Sequence, residues 1–305
     1  MAPLYGGVET GGTWCVCALG CRPGEIVARE QFPTASPEET LDRIAQFFES
    51  HPRPAALGVG AFGPLVLDER SPRWGYVTTT PKPGWRDTSV AQVLRDRLGL
   101  PTAFDTDVGA AALAEHRWGA GIGAPSLCYL TVGTGIGAGL IHGRAIWHGL
   151  IHPEVGHMRV PHDRERDPFG GSCPVHGDCW EGLAAGSAIA RRWGADPEEL
   201  PDDHPAWQLA AGYVALGILA IVSVASPHRI VAGGGVLQRP VVLQAVRRRV
   251  PELLAGYLDD PLLGARIDDF IVTPALGDDA GVLGAIALAQ DLVRGQAGST
   301  AAEHR

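Results

Sequence analysis

Along the chain the apolar positions switch between a period of two and a period of about 3.6, and glycine-rich turns mark most of the switches. Residues 5–9 and 14–19 read as strands flanking the turn Thr10-Gly11-Gly12-Thr13, with Trp14, Val16 and Ala18 alternating with Cys15 and Cys17. Residues 37–50 predict a helix, because Ser36 stands at its cap and Glu38 and Glu39 fall in its first turn. A buried strand at 57–61, a helix at 90–98, a strand at 101–104 and a helix at 108–118 follow. The glycine-rich stretch 119–125 then reads as a linker or hinge. Beyond it the opening layout recurs as strand 127–132, glycine turn 133–139 and strand 140–142, which predicts two weakly similar halves. From 152 to 180 apolar periodicity gives way to His, Pro, Asp, Arg and Cys. Such a segment predicts a long functional loop, or one tied down by something other than a core. Helices are expected at 182–193, 205–225, 237–254 and 281–292, strands at 230–232 and 271–273, and a frayed polar tail from Arg294.

Composition narrows the reading. A chain of 305 residues suits roughly two domains and needs no disulfide framework. The net charge of −9 argues against a nucleic-acid surface, which needs a basic footprint. The 41 glycines are about twice the usual share. Eleven of them lie in three turns, 6–12, 133–139 and 233–235. Lys82 is the single lysine, and it sits in Pro81-Lys82-Pro83. A Walker-A loop, which needs a lysine beside Ser or Thr, is thereby excluded, so phosphate binding must rest on backbone amides. The N-terminus lacks the basic-then-apolar pattern of a secretory leader, so a cytoplasmic protein is expected and the six cysteines are read as thiols or metal ligands. The apolar run 209–225 passes as a marginal membrane span. Its Tyr213, two glycines and Ser223 favour a buried helix feeding strand 230–232, and no membrane partner is expected.

Three constellations carry chemistry. The glycine turns expose amides that can cradle an anion, and glycine lets phosphate oxygens approach closely. Three such turns at strand ends point to a nucleotide, although the spacing Gly135-x-Gly137-x-Gly139 is not a dinucleotide fingerprint. Asp105-Thr106-Asp107 stands between a strand and a helix, where carboxylates serve either as a cap or as a general base for phosphoryl transfer. Cys173, His176 and Cys179, with His157 separated from Cys173 by fifteen residues, form a Cys/His set suited to a closed tetrahedral Zn2+ site. His162 or His152 could replace His157. Cys15 and Cys17 read as core. Glu154 and Glu181 flank this loop, either as acceptors for hydroxyl groups or as surface ion pairs.

At these residues the sequence resembles the ROK sugar kinases, within them the bacterial fructokinase branch. The matching stretches are GGVETGGT at 6–13, GAFGP at 60–64, TPKPGW at 80–85, FDTDV at 104–108, LTVGTGIG at 130–137, HPEVGH at 152–157, CPVHGDCWEG at 173–182 and VAGGGV at 231–236. They run through nearly the whole chain in the family's order. The resemblance implies an α/β, actin-like ATPase (ribonuclease H-like) fold with two lobes around a cleft. The expected lobes are residues 1–118, completed by a C-terminal helix at 286–305, and residues 119–285, which carry the zinc loop 152–181.

The resemblance also implies roles. Asp107, not Asp105, matches the catalytic base. Gly11, Gly12 and Thr13 match one phosphate loop, Gly133, Thr134 and Gly135 the other, and Gly234 and Gly235 the adenosine motif. Gly63, Asp107, Glu154, His157 and Glu181 match sugar contacts. His157, Cys173, His176 and Cys179 match a structural zinc site, with the other side of His157 toward the sugar. Glu9, Thr106, Lys82 and His176 depart from many relatives in the manner of fructokinases, whereas Trp14 and Gly109 depart without such a link. The implied activity is transfer of phosphate from ATP, with Mg2+, to D-fructose by a homodimer. Mannose or glucose specificity is the near alternative. A non-catalytic sugar-binding regulator is the distant one, disfavoured by the negative charge and by the start of the first loop at Gly6.

Overall fold

The computed structural model describes the backbone of residues 3–302 and the side chains through residue 295. In chain order the elements are β1 (Tyr5–Thr10), β2 (Trp14–Gly20), β3 (Ile26–Pro33), α1 (Pro37–Glu49), β4 (Leu57–Ala61), β5 (Tyr76–Val77), β6 (Thr88–Ser89), α2 (Ala91–Leu98), β7 (Thr102–Thr106) and α3 (Asp107–Trp118). They continue as β8 (Ser126–Val132), β9 (Ile136–His142), β10 (Ala145–Ile146), α4 (Trp180–Ala184), α5 (Gly186–Trp193), α6 (Pro205–Ala225), β11 (Arg229–Gly233), α7 (Pro240–Leu254), α8 (Ile267–Phe270), β12 (Ile271–Val272) and α9 (Ala280–Ala302). Two compact units result. Unit 1 holds the chain to Ile122, the segment Arg144–His152 and the chain from Leu276; unit 2 holds Gly123–Gly143 and Pro153–Ala275. The 144–152 segment thus joins unit 1, and unit 1 resumes ten residues before position 286.

In unit 1 the sheet order is β3-β2-β1-β4-β7. The β1–β2 and β2–β3 pairs are antiparallel, and the β1–β4 and β4–β7 pairs are parallel. Alternation along β2 builds both faces. Cys15, Cys17 and Leu19 join Leu41, Ile44, Phe47 and Phe48 of α1 in one core. Val16 and Ala18 meet Val282 and Ile286 of α9 in another. Each large side chain so buried contributes about 1.5–3 kcal/mol. The helix start at Ser36 is a capping box, with Ser36 accepting from the Glu39 amide and the Glu39 carboxylate accepting from Ser36. Strand β3 escapes the sequence pattern because it is an edge strand whose middle residues, Arg29, Glu30 and Gln31, are polar in a row.

Helix α9 lies on β4 and α3 at backbone distance. A Cβ on Gly58 would stand 1.8 Å from the Ala285 carbonyl oxygen, and one on Gly284 would stand 1.8 Å from that of Ala110. Its helical backbone continues through Ala302, past the expected stop at 292, so the tail from Arg294 stays helical as far as it is described. Residues 303–305, the last of the expected closing segment, lie outside the described residues.

Unit 2 repeats the layout. β8 and β9 form an antiparallel hairpin, and β11 and β12 add in parallel, in the order β9-β8-β11-β12. Its core gathers Leu130 and Val132 of β8, Trp180 and Leu183 of α4, Val214 and Ile218 of α6 and Val246 of α7. Helix α6 is long and apolar enough to cross a membrane, yet half of its apolar window is buried inside the protein. The expected helix at 182–193 is two helices. Ala185 is extended between them (φ −67°, ψ 162°), which frees the Gly186 amide to donate to the Gly133 carbonyl at 2.7 Å. Helix α7 starts at Pro240, three residues later than the pattern predicts, because proline fits a first helical position.

The stretch at 119–125 is pinned by one carboxylate. Glu115, fully buried, accepts the Ala120 amide on Oε2 at 2.7 Å and the Leu276 amide on Oε1 at 2.8 Å. These amides lie where the chain prepares to leave unit 1 and where it returns. Glu115→Ala strips both partners and leaves a cavity, so it should lower unfolding stability by about 2–4 kcal/mol, read as a lower urea midpoint at unchanged slope. A midpoint within error of the parent contradicts the clamp.

Candidate active site and metal group

The strand–helix junction in unit 1 separates the two aspartates. Thr106 is the true cap of α3: its Oγ1 accepts the Gly109 amide at 2.9 Å. Asp105 is buried and fully used. Its Oδ1 accepts the Thr106 amide at 2.7 Å and the Thr106 hydroxyl at 3.3 Å, and its Oδ2 pairs with His148 Nε2 at 2.8 Å. Asp107, at the first helical position, takes only backbone amides, its own and that of Val108 at 2.8 Å, among the described residues. Its carboxylate therefore stays available for chemistry. Gly109 now has a reason: a Cβ there would stand 2.5 Å from Asp105 Oδ1 and 2.7 Å from Thr106 Oγ1. His148 escaped the sequence reading, since a lone histidine after Trp147 carries no spacing signal.

Burial pushes the Asp107 carboxyl up to about 6, and the charge of Asp105 adds to the effect, while backbone hydrogen bonds pull it down. Glu9 on β1 is pushed up to about 8, first by burial and then by Asp107; the Val282 amide near the start of α9 works against the rise. Two neighbouring carboxyls thus resist ionisation, and the lower of them titrates near the range where a general base works best.

The first glycine turn has its carbonyls held from behind. Gly11 O accepts the Thr34 hydroxyl at 2.8 Å, Gly12 O accepts Lys82 Nζ at 2.6 Å, and Thr13 O accepts the Thr34 amide at 2.9 Å. The amides of exposed Gly12 and Thr13 have no partner among the described residues and form an open nest. Gly63 lies just beyond β4, joined to Pro64 by a cis peptide bond.

Unit 2 holds its turn by other donors. Gly133 O takes the Gly186 amide at 2.7 Å and Thr134 O takes the Ser187 amide at 3.4 Å, from the first residues of α5. The amides of Thr134 and Gly135 are left without a partner among the described residues. Glu181 Oε2 accepts the Ile136 amide at 3.0 Å, and a Cβ on Gly135 would come within 2.7 Å of that oxygen. The third turn abuts this one. Gly234 has φ +85°, and the Val236 amide returns to the Val132 carbonyl at 2.9 Å. The Glu154 carbonyl accepts the His157 amide at 3.1 Å, which starts the single turn bearing His157.

His157, Cys173, His176 and Cys179 present ligand atoms all within 4.8 Å of one another. The Cys173 Sγ–His157 Nδ1 and Cys173 Sγ–His176 Nδ1 separations are 3.8 Å, and Cys179 Sγ–His157 Nδ1 is 3.6 Å. A tetrahedron with Zn–S of about 2.3 Å and Zn–N of about 2.0–2.1 Å has S–N edges of about 3.6 Å, so this donor set fits such an ion. Burial first, then the neighbouring Cys173 thiol and the Glu181 charge, push the Cys179 thiol up to about 11 against the pull of the Gly182 amide, a cost that a cation offsets by favouring the thiolate. The alternative ligands are occupied elsewhere. His162 bridges Asp178 at 3.1 Å and the Asp167 carbonyl at 2.9 Å, and His152 Nε2 takes the Leu65 amide at 2.9 Å. Cys15 and Cys17 are buried in the core of unit 1.

The chain is similar over nearly its whole length to known proteins. The model of the ROK family matches residues 5–292, and the chain belongs to that family, whose fold is the actin-like ATPase fold. The chain is 44% identical over 295 residues to a fructokinase of Zymomonas mobilis, with 94% of this chain and 96% of that one covered. It is 38% identical to a fructokinase of Pediococcus pentosaceus, covering 94% and 98%. Among solved structures, a ROK family glucokinase from Streptomyces griseus in complex with glucose and AMPPNP superposes with a TM-score of 0.75 at 27% identity, covering 94% and 99%.

The raised pKa of Asp107 has a consequence for stability. The folded value, about 6, lies above the ordinary value of 3.8. The fold therefore favours the neutral form, and that contribution is complete below about pH 4 and lost as pH rises through about 6. Asp107→Asn should make the protein more stable than the parent at pH 8, by roughly 1–3 kcal/mol, with the gap closing toward pH 4. Thermal midpoints across that range check it, and a variant equally or less stable at pH 8 contradicts the shift.

Proposed function

We propose that this protein transfers the terminal phosphoryl group of ATP to the 6-hydroxyl of D-fructose. The observation that carries the reading is Asp107: a carboxylate free of side-chain partners, poised near neutrality, in a chain 44% identical to a fructokinase. Asp107 accepts the hydroxyl proton as the phosphoryl group moves in line, which is the one proton transfer such a reaction asks of the protein. The nucleotide is taken as MgATP. Gly11, Gly12 and Thr13, with Gly133, Thr134 and Gly135, offer amides to its phosphates, and Gly234 and Gly235 lie against the adenosine. Gly63, Glu154, His157 and Glu181, with Asp107, hydrogen-bond the sugar hydroxyls. Glu181 already gives one oxygen to the Ile136 amide, so its other oxygen serves the sugar.

His157, Cys173, His176 and Cys179 would hold a Zn2+ ion whose role is structural. It ties down a loop with little apolar packing of its own, and His157, bound through Nδ1, keeps Nε2 for a hydroxyl. The protein acts in the cytoplasm as a homodimer.

ADP release measured with fructose, mannose, glucose and N-acetylmannosamine tests the specificity: fructose should give the highest kcat/KM, and a higher value for another hexose overturns the assignment. Asp107→Asn should still bind ATP but lose at least about 100-fold in kcat, and the parent's kcat/KM should fall on the acid side with an apparent pKa near 6. Removal of the metal by a strong chelator should raise the KM for fructose far more than that for ATP. An equal loss of both contradicts a purely structural zinc.

A further inference from the structure

His148 lies in the segment Arg144–His152 of unit 1 and reaches Asp105, two residues before Asp107: its Nε2 is 2.8 Å from Asp105 Oδ2. An ionised carboxylate only accepts, so the ring is the donor. Its Nδ1 is buried and has no partner among the described residues, which leaves Asp105 as the one polar anchor of the ring there. The segment has other anchors. Ile146 packs on the first turn of α3, where a Cβ on Gly109 would stand 3.3 Å from its Cγ2. The Gly149 amide donates to the Ile151 carbonyl at 3.1 Å, and buried His152 accepts the Leu65 amide on Nε2 at 2.9 Å. For holding the segment alone, an apolar side chain at 148 would serve without burying an orphaned ring nitrogen. The bond therefore serves Asp105 more than it serves the segment.

What Asp105 gains is a fixed orientation. With Oδ2 held by His148, Oδ1 is kept on the Thr106 amide and hydroxyl, at 2.7 and 3.3 Å. The Thr106 oxygen in turn accepts the Gly109 amide at 2.9 Å and so caps α3. Asp107 is the first residue of that helix, and the direction of its side chain depends on how the helix starts. We infer that His148 is a positioning residue for phosphoryl transfer: it fixes Asp105, Asp105 fixes the Thr106 cap, and the cap aims the Asp107 carboxylate at the hydroxyl it deprotonates. This rests on the reading of Asp107 as the base. His148 acts through Asp105, and a small error in aim is enough to slow a proton transfer that depends on alignment.

Two measurements on the full-length protein test the inference: steady-state turnover with ATP and fructose, and hydrogen exchange of the substrate-free protein followed by NMR. His148→Ala should lower kcat about tenfold or more and leave the KM for ATP within about twofold. His148→Gln, whose amide places a donor near the position of Nε2, should recover most of that loss, whereas His148→Leu, apolar and of similar size, should not. Without substrate, the Gly109 amide should exchange about tenfold faster in His148→Ala than in the parent, and near the parent rate in His148→Gln. With Asp105 already replaced by alanine, removing His148 should cost less than about twofold more in kcat. A kcat for His148→Ala equal to the parent's overturns the inference. So does rescue by leucine as good as that by glutamine, an unchanged Gly109 exchange rate, or a full further loss in the Asp105→Ala background. The exchange measurement needs no substrate, so a parent inactive on fructose would count against the proposed activity alone.

Discussion

Unit 1 depends on backbone meeting backbone. Helix α9 arrives from the far end of the sequence and lies so close on β4 and α3 that Gly58 and Gly284 have no room for a methyl group. The alanine-rich face of α3, with Ala110, Ala111 and Ala114 buried, lets the two helices approach in the same way. Close approach removes water from the sheet ends beneath it. At Glu9, where a Cβ on Gly281 of α9 would stand 2.2 Å from the carboxyl carbon, such burial is the main cause of the raised pKa.

The duplicated glycine turns solve one problem with two sets of donors. An anion nest works only if the amides face outward, and they do so only if the carbonyls are satisfied on the other side. In unit 1 Thr34 and Lys82 satisfy them; in unit 2 the first amides of α5 do. The break at Ala185 follows from this demand. A continuous helix would spend the Gly186 amide on the Gly182 carbonyl, which instead accepts the Ser172 amide at 2.9 Å beside the metal group. One interruption thus serves both the second turn and the cysteine loop.

Much of this was legible in the sequence where local chemistry is self-sufficient. The strand–turn–strand repeat, the Ser36 cap and the Cys173-His176-Cys179 part of the metal group depend on residues a few positions apart. What was not legible depends on partners far away. Strand β3 exists because β2 offers it an edge, not because its own residues alternate in polarity. The helix at 180–193 breaks for a carbonyl near residue 133, and Gly109 is small because Asp105 and Thr106 turn inward above it. Asp105 and Asp107 are alike in sequence; His148, which occupies Asp105, tells them apart in space.

The glycine excess therefore has two physical origins. Part of it shapes turns that leave amides open, and part permits the close packing of α9 that buries Glu9 beside one of those turns. Each creates a need that the other cannot meet. The turn leaves the Gly12 and Thr13 amides open among the described residues, while Glu9 and Asp107 are costly to ionise without a nearby cation. On the proposed function, a nucleotide arriving with a magnesium ion would answer both at once: the phosphates would satisfy the amides, and the positive charge would favour ionised carboxylates. The substrate itself would then complete the electrostatics of unit 1, holding Asp107 ionised, and so able to take up a proton, when the phosphoryl donor is in place.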